Sequence, residues 1–391
     1  MRFLHTSDWH LGKRLYEFSL LEDQAYFLEG LYPLLKEEKV EVLVIAGDIY
    51  DRALPPSEAV ELYDTALSRI VRDLKIPVLA ISGNHDSPSR LDFGSRLYES
   101  SGYYMAGQGR PAVKKITLTD RHGPVVFHLL PYLEPAAVRS FFPEAKARTF
   151  DQAYEVMLEQ PANQPQPGHR HVLVAHGLFG ALGEEGRELL TSESEIHVGG
   201  VDIVDGGRFR SYHYGAFGHL HAPQRAGGEH LRYSGSPLPY SVSEEHQKKS
   251  CTLVELDAAG QVKLSFLTPP RLRNVRTIRG SLEELLRRDF HTGSFEDYVF
   301  AEITDPQLVP YPMEKLRVLF PHLLGLRFVT LTQQQGSPSF SAQKVVAKQS
   351  MEELFSRFYS EVRDKELTPD QRELLQAAIA QTENPAEEES L

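Results

Sequence analysis

Val42–Arg52, VLVIAGDIYDR, is the stretch on which the fold turns. Five apolar residues, Val42 to Ala46, run without a break into Gly47-Asp48. A short run that is apolar at every position, followed at once by turn residues, predicts a strand. The same grammar recurs on either side. Val78 to Ile81 runs into Gly83-Asn84-His85-Asp86, and Arg2 to Thr6 runs towards Asp8-Trp9-His10. Between these strands, Leu21, Ala25, Leu28, Leu31, Leu34 and Leu35 recur at helical spacing. Ser57 to Arg72 reads as a helix opened by Pro55-Pro56. Apolar strands alternating with helices imply an α/β core. In such cores ligands bind just beyond the strand ends, where the polar motifs fall.

Further along, PANQPQPG at 161–168 is a polar turn segment, and His171 to Ala175 is a strand leading into His176-Gly177. Strand signals then dominate: Tyr212 to Phe217, His230 to Tyr233, Cys251 to Leu256 and Val262 to Phe266. Pro269-Pro270 marks a boundary. Past it, strands over Val275–Ile278, Tyr298–Ile303 and Leu326–Leu331 alternate with helices at Ser281 and at Met313–Phe320, a small α+β module. Ser281 and Glu284 form a capping box, as do Thr368 and Gln371, with Pro369 at the first helical position. Met351, Leu354, Phe355, Phe358, Tyr359 and Val362 make one apolar helical stripe, and Leu374, Leu375, Ala378 and Ile379 a second. The expected organisation is a core over 1–269, a cap over 270–332, a linker over 333–348, C-terminal helices over 349–383 and a frayed tail over 384–391.

Composition narrows the class. With 41% hydrophobic and 25% charged residues in 391, the chain is globular and needs no disulfide staples. The single cysteine, Cys251, has no partner within the chain, which fits a reducing, cytoplasmic setting. No apolar run approaches the ~18 residues of a membrane span. The N-terminus lacks a signal-peptide pattern, because Asp8 and His10 interrupt it. Forty-two basic against 54 acidic residues leave a formal charge of −12, which argues against broad nonspecific nucleic-acid binding but suits a site that collects cations.

Five short motifs carry metal-ligand side chains: Asp8-Trp9-His10, Gly47-Asp48-Ile49-Tyr50-Asp51, Gly83-Asn84-His85-Asp86, His176-Gly177 and Gly218-His219-Leu220-His221. Asp8 and His10 are two apart, as are His219 and His221, a spacing that puts both side chains on one face of an extended chain. Each motif alone has an ordinary reading as a turn or a satisfied histidine. Their ordered recurrence at strand ends makes a shared site the better one. Oxygen and imidazole donors without thiolate suit Mn, Fe or Zn in octahedral-like coordination.

This ordered set resembles the calcineurin-like metallophosphoesterase superfamily. DWHLG, GDIYDR, GNHDSPSRL and GHLH followed by YSGSPLPYS resemble, within it, the SbcD-type nuclease subunits. The resemblance spans essentially the whole chain. It implies a four-layer sandwich of two β-sheets flanked by helices, with two divalent metal ions, Mn²⁺ foremost, at the strand ends. By motif, Asp8, His10 and His221 would hold one ion, Asn84, His176 and His219 the other, and Asp48 would bridge them. His85 becomes the candidate general acid. Asp86 becomes a candidate orienter of a histidine. Archaeal and eukaryotic relatives carry His three residues after the bridging Asp. Here that residue is Asp51, whose expected role is to hold a ligand histidine or to pair with Arg52.

The implied activity is metal-dependent cleavage of DNA, as a double-strand 3′–5′ exonuclease and a hairpin or single-strand endonuclease in repair, replication and recombination. The implied partners are DNA and an SbcC-type coiled-coil ATPase docked on the C-terminal helices, with two copies of this chain in a heterotetramer. ATP hydrolysis would belong to that partner, since this chain has no G-x-x-x-x-G-K-[ST] pattern. Lys13, Arg14, Arg52 and Arg90 flank the motifs as DNA-contact candidates, each with an alternative reading as a solvated charge. Two rival readings stand beside this one: another phosphoesterase, acting on phosphoproteins or small diesters, and a scaffold protein with a vestigial site.

Overall fold

A computed structural model of the protein describes residues 1–180, 203–329, 355–356, 359, 367–372 and 374–376. They fall in two compact units, Met1–Phe328 and Val329–Leu391. The first unit lays down β1 (Arg2–Thr6), β2 (Val42–Ala46), β3 (Val78–Ile81), β4 (Tyr103–Ala106), β5 (Lys114–Asp120) and β6 (Gly123–Leu130). There follow β7 (Arg170–His176), β8 (Tyr214–Gly218), β9 (Gln224–Arg225), β10 (Leu231–Tyr233), β11 (Cys251–Leu256) and β12 (Val262–Leu267). The longer helices are α1 (Leu21–Glu37), α2 (Ser57–Ser68) and α3 (Phe150–Glu159).

Two six-stranded sheets result, ordered β12-β11-β1-β2-β3-β4 and β9-β10-β8-β7-β6-β5. Strands β1 to β4 are mutually parallel, as are β6, β7, β8 and β10. The antiparallel pairs lie toward the edges. Alternation along each strand explains the layering, because successive side chains leave opposite faces. Val42, Val44 and Ala46 of β2 meet Phe127, Val172, Val174 and Ala216 between the sheets. Leu43 and Ile45 point the other way, into a core with Phe27, Leu28, Leu31 and Leu35 of α1 and Ala59 and Tyr63 of α2. On the far side, Leu173 and Ala175 of β7 pack with Ala153, Tyr154 and Met157 of α3. The order is therefore helix, sheet, sheet, helix, and the expected α/β sandwich is what forms.

The helix expected over 57–72 is α2, continued by a wider, π-type turn at Arg69–Asp73. Beyond Pro270 come β13 (Val275–Gly280), α4 (Leu282–Leu285), β14 (Tyr298–Ile303), α5 (Pro312–Arg317) and β15 (Leu323–Phe328). The three strands are all parallel, wound as two β-α-β units. The last strand starts three residues earlier than the sequence predicts, because Leu323 begins the ladder opposite Val299. The Ser281–Glu284 capping box forms in both directions. The Thr368–Gln371 box forms too, the Thr368 N–H donating to Gln371 Oε1 at 3.0 Å. The 333–348 linker, most of the 351–362 stripe, Ala378, Ile379 and the tail lie outside the described residues. No helix among the described residues is long and apolar enough to cross a membrane.

The sheet-to-sheet contact centres on aromatic edges: Phe3 meets Phe127 at 5.5 Å and Tyr214 at 5.6 Å between ring centroids. Truncating a fully buried ring leaves a cavity that a close-packed interior fills poorly. Phe127→Ala is expected to destabilise the protein by about 3–5 kcal/mol. The check is the urea midpoint; a midpoint equal to that of the parent protein would contradict this account of the core.

Candidate metal centre

The polar motifs follow β1, β2, β3, β7 and β8 and converge at one end of the sandwich. The loops after β1 and β2 are zipped together by backbone hydrogen bonds. Asp8 N–H donates to Gly47 O at 3.0 Å, His10 N–H to Asp48 O at 2.9 Å and Leu11 N–H to Ile49 O at 2.8 Å. Asp8, His10 and Asp48 hold φ of 53°, 43° and 49°, and His219 holds 108°. Non-glycine residues adopt the left-handed region at a cost, and concentrations of it mark functional sites. Gly47, at φ 88°, also has no room for a side chain: a Cβ there would lie 2.3 Å from His176 Nδ1. At Gly83 a Cβ would lie 2.1 Å from Asp48 Oδ1. These two glycines precede their motif residues because the ligand side chains lie against the backbone itself.

Three groups of donor atoms gather here: Asp8, His10 and His221; Asp8, Asp48 and His176; and His10, Asp51 and His85. Asp8, His10, Asp48, His176 and His221 are all at most 3% exposed. Asn84 lies above them at the surface, its Oδ1 3.0 Å from both His176 Nε2 and His219 Nδ1. The seven residues singled out as ligands are thus brought together, Asp8, His10 and His221 on one side and Asn84, His176 and His219 on the other. Asp48 lies between, its Oδ2 3.6 Å from His10 Nε2 and 3.3 Å from His176 Nε2.

Hydrogen bonds fix which ring nitrogens face inward. His176 donates from Nδ1 to the Ala46 carbonyl at 2.8 Å. His221 donates from Nδ1 to Glu244 Oε1 at 3.0 Å. Since a carbonyl and a carboxylate only accept, each Nδ1 carries a proton and each Nε2 is the ring nitrogen turned into the site. There His221 Nε2 meets His10 Nε2 at 3.2 Å. Burial alone would raise Asp48, but His176, His10 and His85 override it and hold the carboxyl well below its usual range. Burial would lower His176, but Asp48 beside it lifts it to about 9. For Asp8, burial wins and its carboxyl is raised, with His176 and His221 opposing. His221 is lowered by burial despite Glu244.

Buried lone pairs facing lone pairs repel unless a proton or a cation lies between them. Two carboxylates, four imidazoles and an amide oxygen, with no thiolate, fit divalent cations such as Mn²⁺. The buried His10 Nδ1 faces Asp51 Oδ1 at 3.6 Å.

His85 stands at the rim, half-buried. Its Nδ1 donates to the Asp51 carbonyl at 2.9 Å, its N–H donates to Asp48 Oδ1 at 2.9 Å, and its ring meets His10 edge-on at 4.8 Å. Asp51 pairs with Lys13 Nζ at 2.8 Å rather than with Arg52. Asp86 differs from expectation. It holds no histidine among the described residues but accepts from the N–H groups of Ile49 at 3.1 Å, Tyr50 at 2.9 Å and Gly83 at 2.9 Å. Its carboxylate braces two motif loops against each other. Of the basic candidates, Lys13 is committed to Asp51, and Arg14 bonds the Glu17 carbonyl. Arg52 and Arg90 are exposed.

Four supporting residues escape a reading of motifs. Ser7 Oγ donates to Asp8 Oδ2 at 2.5 Å. Gln24 donates to the carbonyls of Trp9 and His10 at 3.2 and 2.8 Å while accepting from Gly12 N–H at 3.0 Å. Glu244, fully buried, bridges His221 and Lys249, whose Nζ lies 2.6 Å from Glu244 Oε2. Lys249 also donates to the His221 carbonyl at 2.9 Å. Glu244 and Lys249 sit in SVSEEHQKK, a polar run that reads as solvated loop. Only tertiary contact reveals them.

Residues 1–223 match the calcineurin-like phosphoesterase family, and residues 271–363 match the type 5 capsule protein repressor C-terminal domain family. Over 368 residues the chain is 31% identical to the SbcD component of the SbcCD nuclease from Staphylococcus epidermidis, covering 94% of this chain and 95% of that protein. Among solved structures it is similar to the calcineurin-like phosphoesterase YfkN from Bacillus subtilis, at 12% identity and a TM-score of 0.36. That alignment covers 68% of this chain and 90% of the other. A likeness that low carries no argument.

A carboxylate behind a ligand histidine sets its tautomer and basicity, and losing one typically costs 10–100-fold in metal affinity. Glu244→Gln is therefore expected to weaken Mn²⁺ binding by about 10–100-fold, read by calorimetry on protein whose fold is checked by circular dichroism. Unchanged affinity in the folded variant would remove Glu244 from the metal centre.

Proposed function

This chain belongs to the calcineurin-like phosphoesterase family, in its SbcD branch, and from that premise we propose that it is the Mn²⁺-dependent DNA nuclease subunit of an SbcCD-type complex. The observation that carries the reading is the buried convergence of Asp8, His10, Asp48, His176 and His221 with their carboxylate oxygens and Nε2 atoms turned inward. It also argues against a vestigial site, because every position offers a competent donor. Asp8, His10 and His221 would hold one ion, Asn84, His176 and His219 a second, and Asp48 both. When bound, two divalent ions supply polarisation of phosphoryl oxygens and acidification of water, the requirements of phosphodiester hydrolysis.

The remaining work falls to the chain's own groups. His85, oriented by the Asp51 carbonyl, is the proposed general acid: it stabilises the phosphate and delivers a proton to the leaving 3′ oxygen. Asp51, occupied by Lys13 and facing His10, orients that histidine and does not donate to phosphate. Asp86 fixes the loop that carries Asp48. Double-strand 3′–5′ exonuclease and hairpin endonuclease activity, roles in repair, replication and recombination, and a cytoplasmic setting are proposed from the branch alone. So is docking of an SbcC-type ATPase on the C-terminal helices. Pairing of two copies draws further support from Phe93 and Leu97, 81% and 78% exposed in the segment after the Asn84 motif.

Cleavage of end-labelled duplex DNA in Mn²⁺ tests the site. Asp48→Ala is expected to abolish cleavage while leaving partner binding intact, and cleavage that survives would overturn the assignment. His85→Asn, which keeps a side-chain donor near the Asp51 carbonyl, is expected to lower kcat by about 10²–10⁴-fold with metal affinity retained. Loss of metal binding instead would make His85 a ligand. With Lys13 committed and a net charge of −12, DNA binding by this chain alone is expected to be weak and to fall steeply with salt. Tight binding indifferent to salt would contradict this.

A further inference from the structure

On the same sandwich, an arginine is buried with no carboxylate in ion-pair contact among the described residues. Arg232 of β10 is 8% exposed, and its Nε is buried with no hydrogen-bond partner among the described residues. Its guanidinium lies over the Phe266 ring, 4.6 Å from the centroid. Directly opposite, across the β9–β10 pair, stands a second arginine, Arg225. Opposed residues of an antiparallel pair share a face, and like charges so placed repel. Among the described residues one carboxylate serves the two: Glu229, which pairs with Arg225. One positive charge is left over, and burial disfavours its charged form.

Arg232 and Arg225 line a cleft of ≈ 600 Å³ with His213, His230, Phe266 and Glu229. His213 accepts the His171 N–H on Nδ1 at 3.0 Å, so its ring proton sits on Nε2 and can be donated elsewhere. Phe266, 52% exposed, leaves about half of its side chain open to solvent beside the guanidinium. The cleft shares no residue with the three donor groups of the metal centre.

We propose that this cleft is a second binding site, for a nucleotide unit. Arg232 takes the phosphate, with Arg225 and the His213 N–H beside it, and the base stacks on Phe266. A guanidinium presents planar forked donors that match phosphate oxygens, and bases stack on aromatic side chains whatever their sequence. The nucleotide has two sources, a free mononucleotide or a unit within a single strand. The site is independent of the nuclease assignment, since it needs neither the metal ligands nor cleavage.

The test is binding to the full chain in EDTA, which keeps the metal centre out of the measurement. The probes are inorganic phosphate, 2′-deoxyadenosine 5′-monophosphate and a short oligothymidylate, read by thermal shift and calorimetry. Phosphate is expected to raise the melting temperature, and the mononucleotide to raise it further. Arg232→Met, which keeps the bulk and removes the charge, is expected to fold and to lose at least about tenfold in affinity for both. Phe266→Ala is expected to lose only the advantage of the nucleotide over phosphate. An oligonucleotide that binds more tightly than the mononucleotide assigns the site to a strand, and the reverse order to free nucleotide. The proposal falls if the parent protein binds none of the three, if Arg232→Met binds them as well as the parent does, or if Phe266→Ala keeps the nucleotide's advantage.

Discussion

Five buried side chains of opposite acid–base character share one space, with carboxylate oxygens and ring nitrogens turned toward one another, and much of the surrounding structure exists to keep them there. Two carboxylates and three imidazoles at most 3% exposed cannot relax into solvent. Their mutual attraction, Asp48 against His176 and His10, offsets part of the cost of burial. Left-handed backbone at Asp8, His10 and Asp48 adds a further cost, so the loops must be held from outside.

That restraint comes in two layers. Backbone hydrogen bonds zip the loops after β1 and β2 together, so that moving one motif moves the other. Behind them, Asp86 gathers three N–H groups, Gln24 clamps the loop after β1, and Glu244 with Lys249 anchors His221. Glu244 also accepts from Tyr240 N–H, and the next residue, Glu245, accepts from Thr277 N–H at the start of β13. The small parallel sheet is therefore connected to the metal centre by two adjacent residues. Its Val275, Tyr298 and Leu324 join the hydrophobic core that packs α1 and α2.

Much of this was readable beforehand. The runs Val42–Ala46 and Val78–Ile81 announced strands of an α/β core because short apolar runs ending in turn residues alternate with helical spacing. The capping boxes at Ser281 and Thr368 announced helix starts because the hydrogen bonds they make are local. The strands Lys114–Asp120 and Gly123–Leu130 went unread. The first is a half-exposed edge strand whose residues, KKITLTD, carry little apolar weight, and its place is decided by pairing with β6. Asp86 was expected to face a histidine. Sequence adjacency to Asn84 and His85 put it in the right neighbourhood, but only the approach of the Asp48 loop decided what it would bond.

By itself, then, the sequence determined the α/β sandwich and the identity of the donor side chains. Both are written in short-range patterns: apolar runs ending in turns, and Asp, Asn and His set at fixed intervals. The tertiary structure decided which donors share a space, which ring nitrogen of each histidine faces inward, and which distant polar residue supports it. Glu244 lies 23 residues from the histidine it serves, and Gln24 lies 14 from the carbonyl it holds. Arg232 acquires its isolation only when β9 pairs with β10 and sets Arg225 opposite it. A polar residue's local sequence leaves its burial open, because burial is set by what the rest of the chain brings over it. The chemistry of this protein depends on residues of that kind.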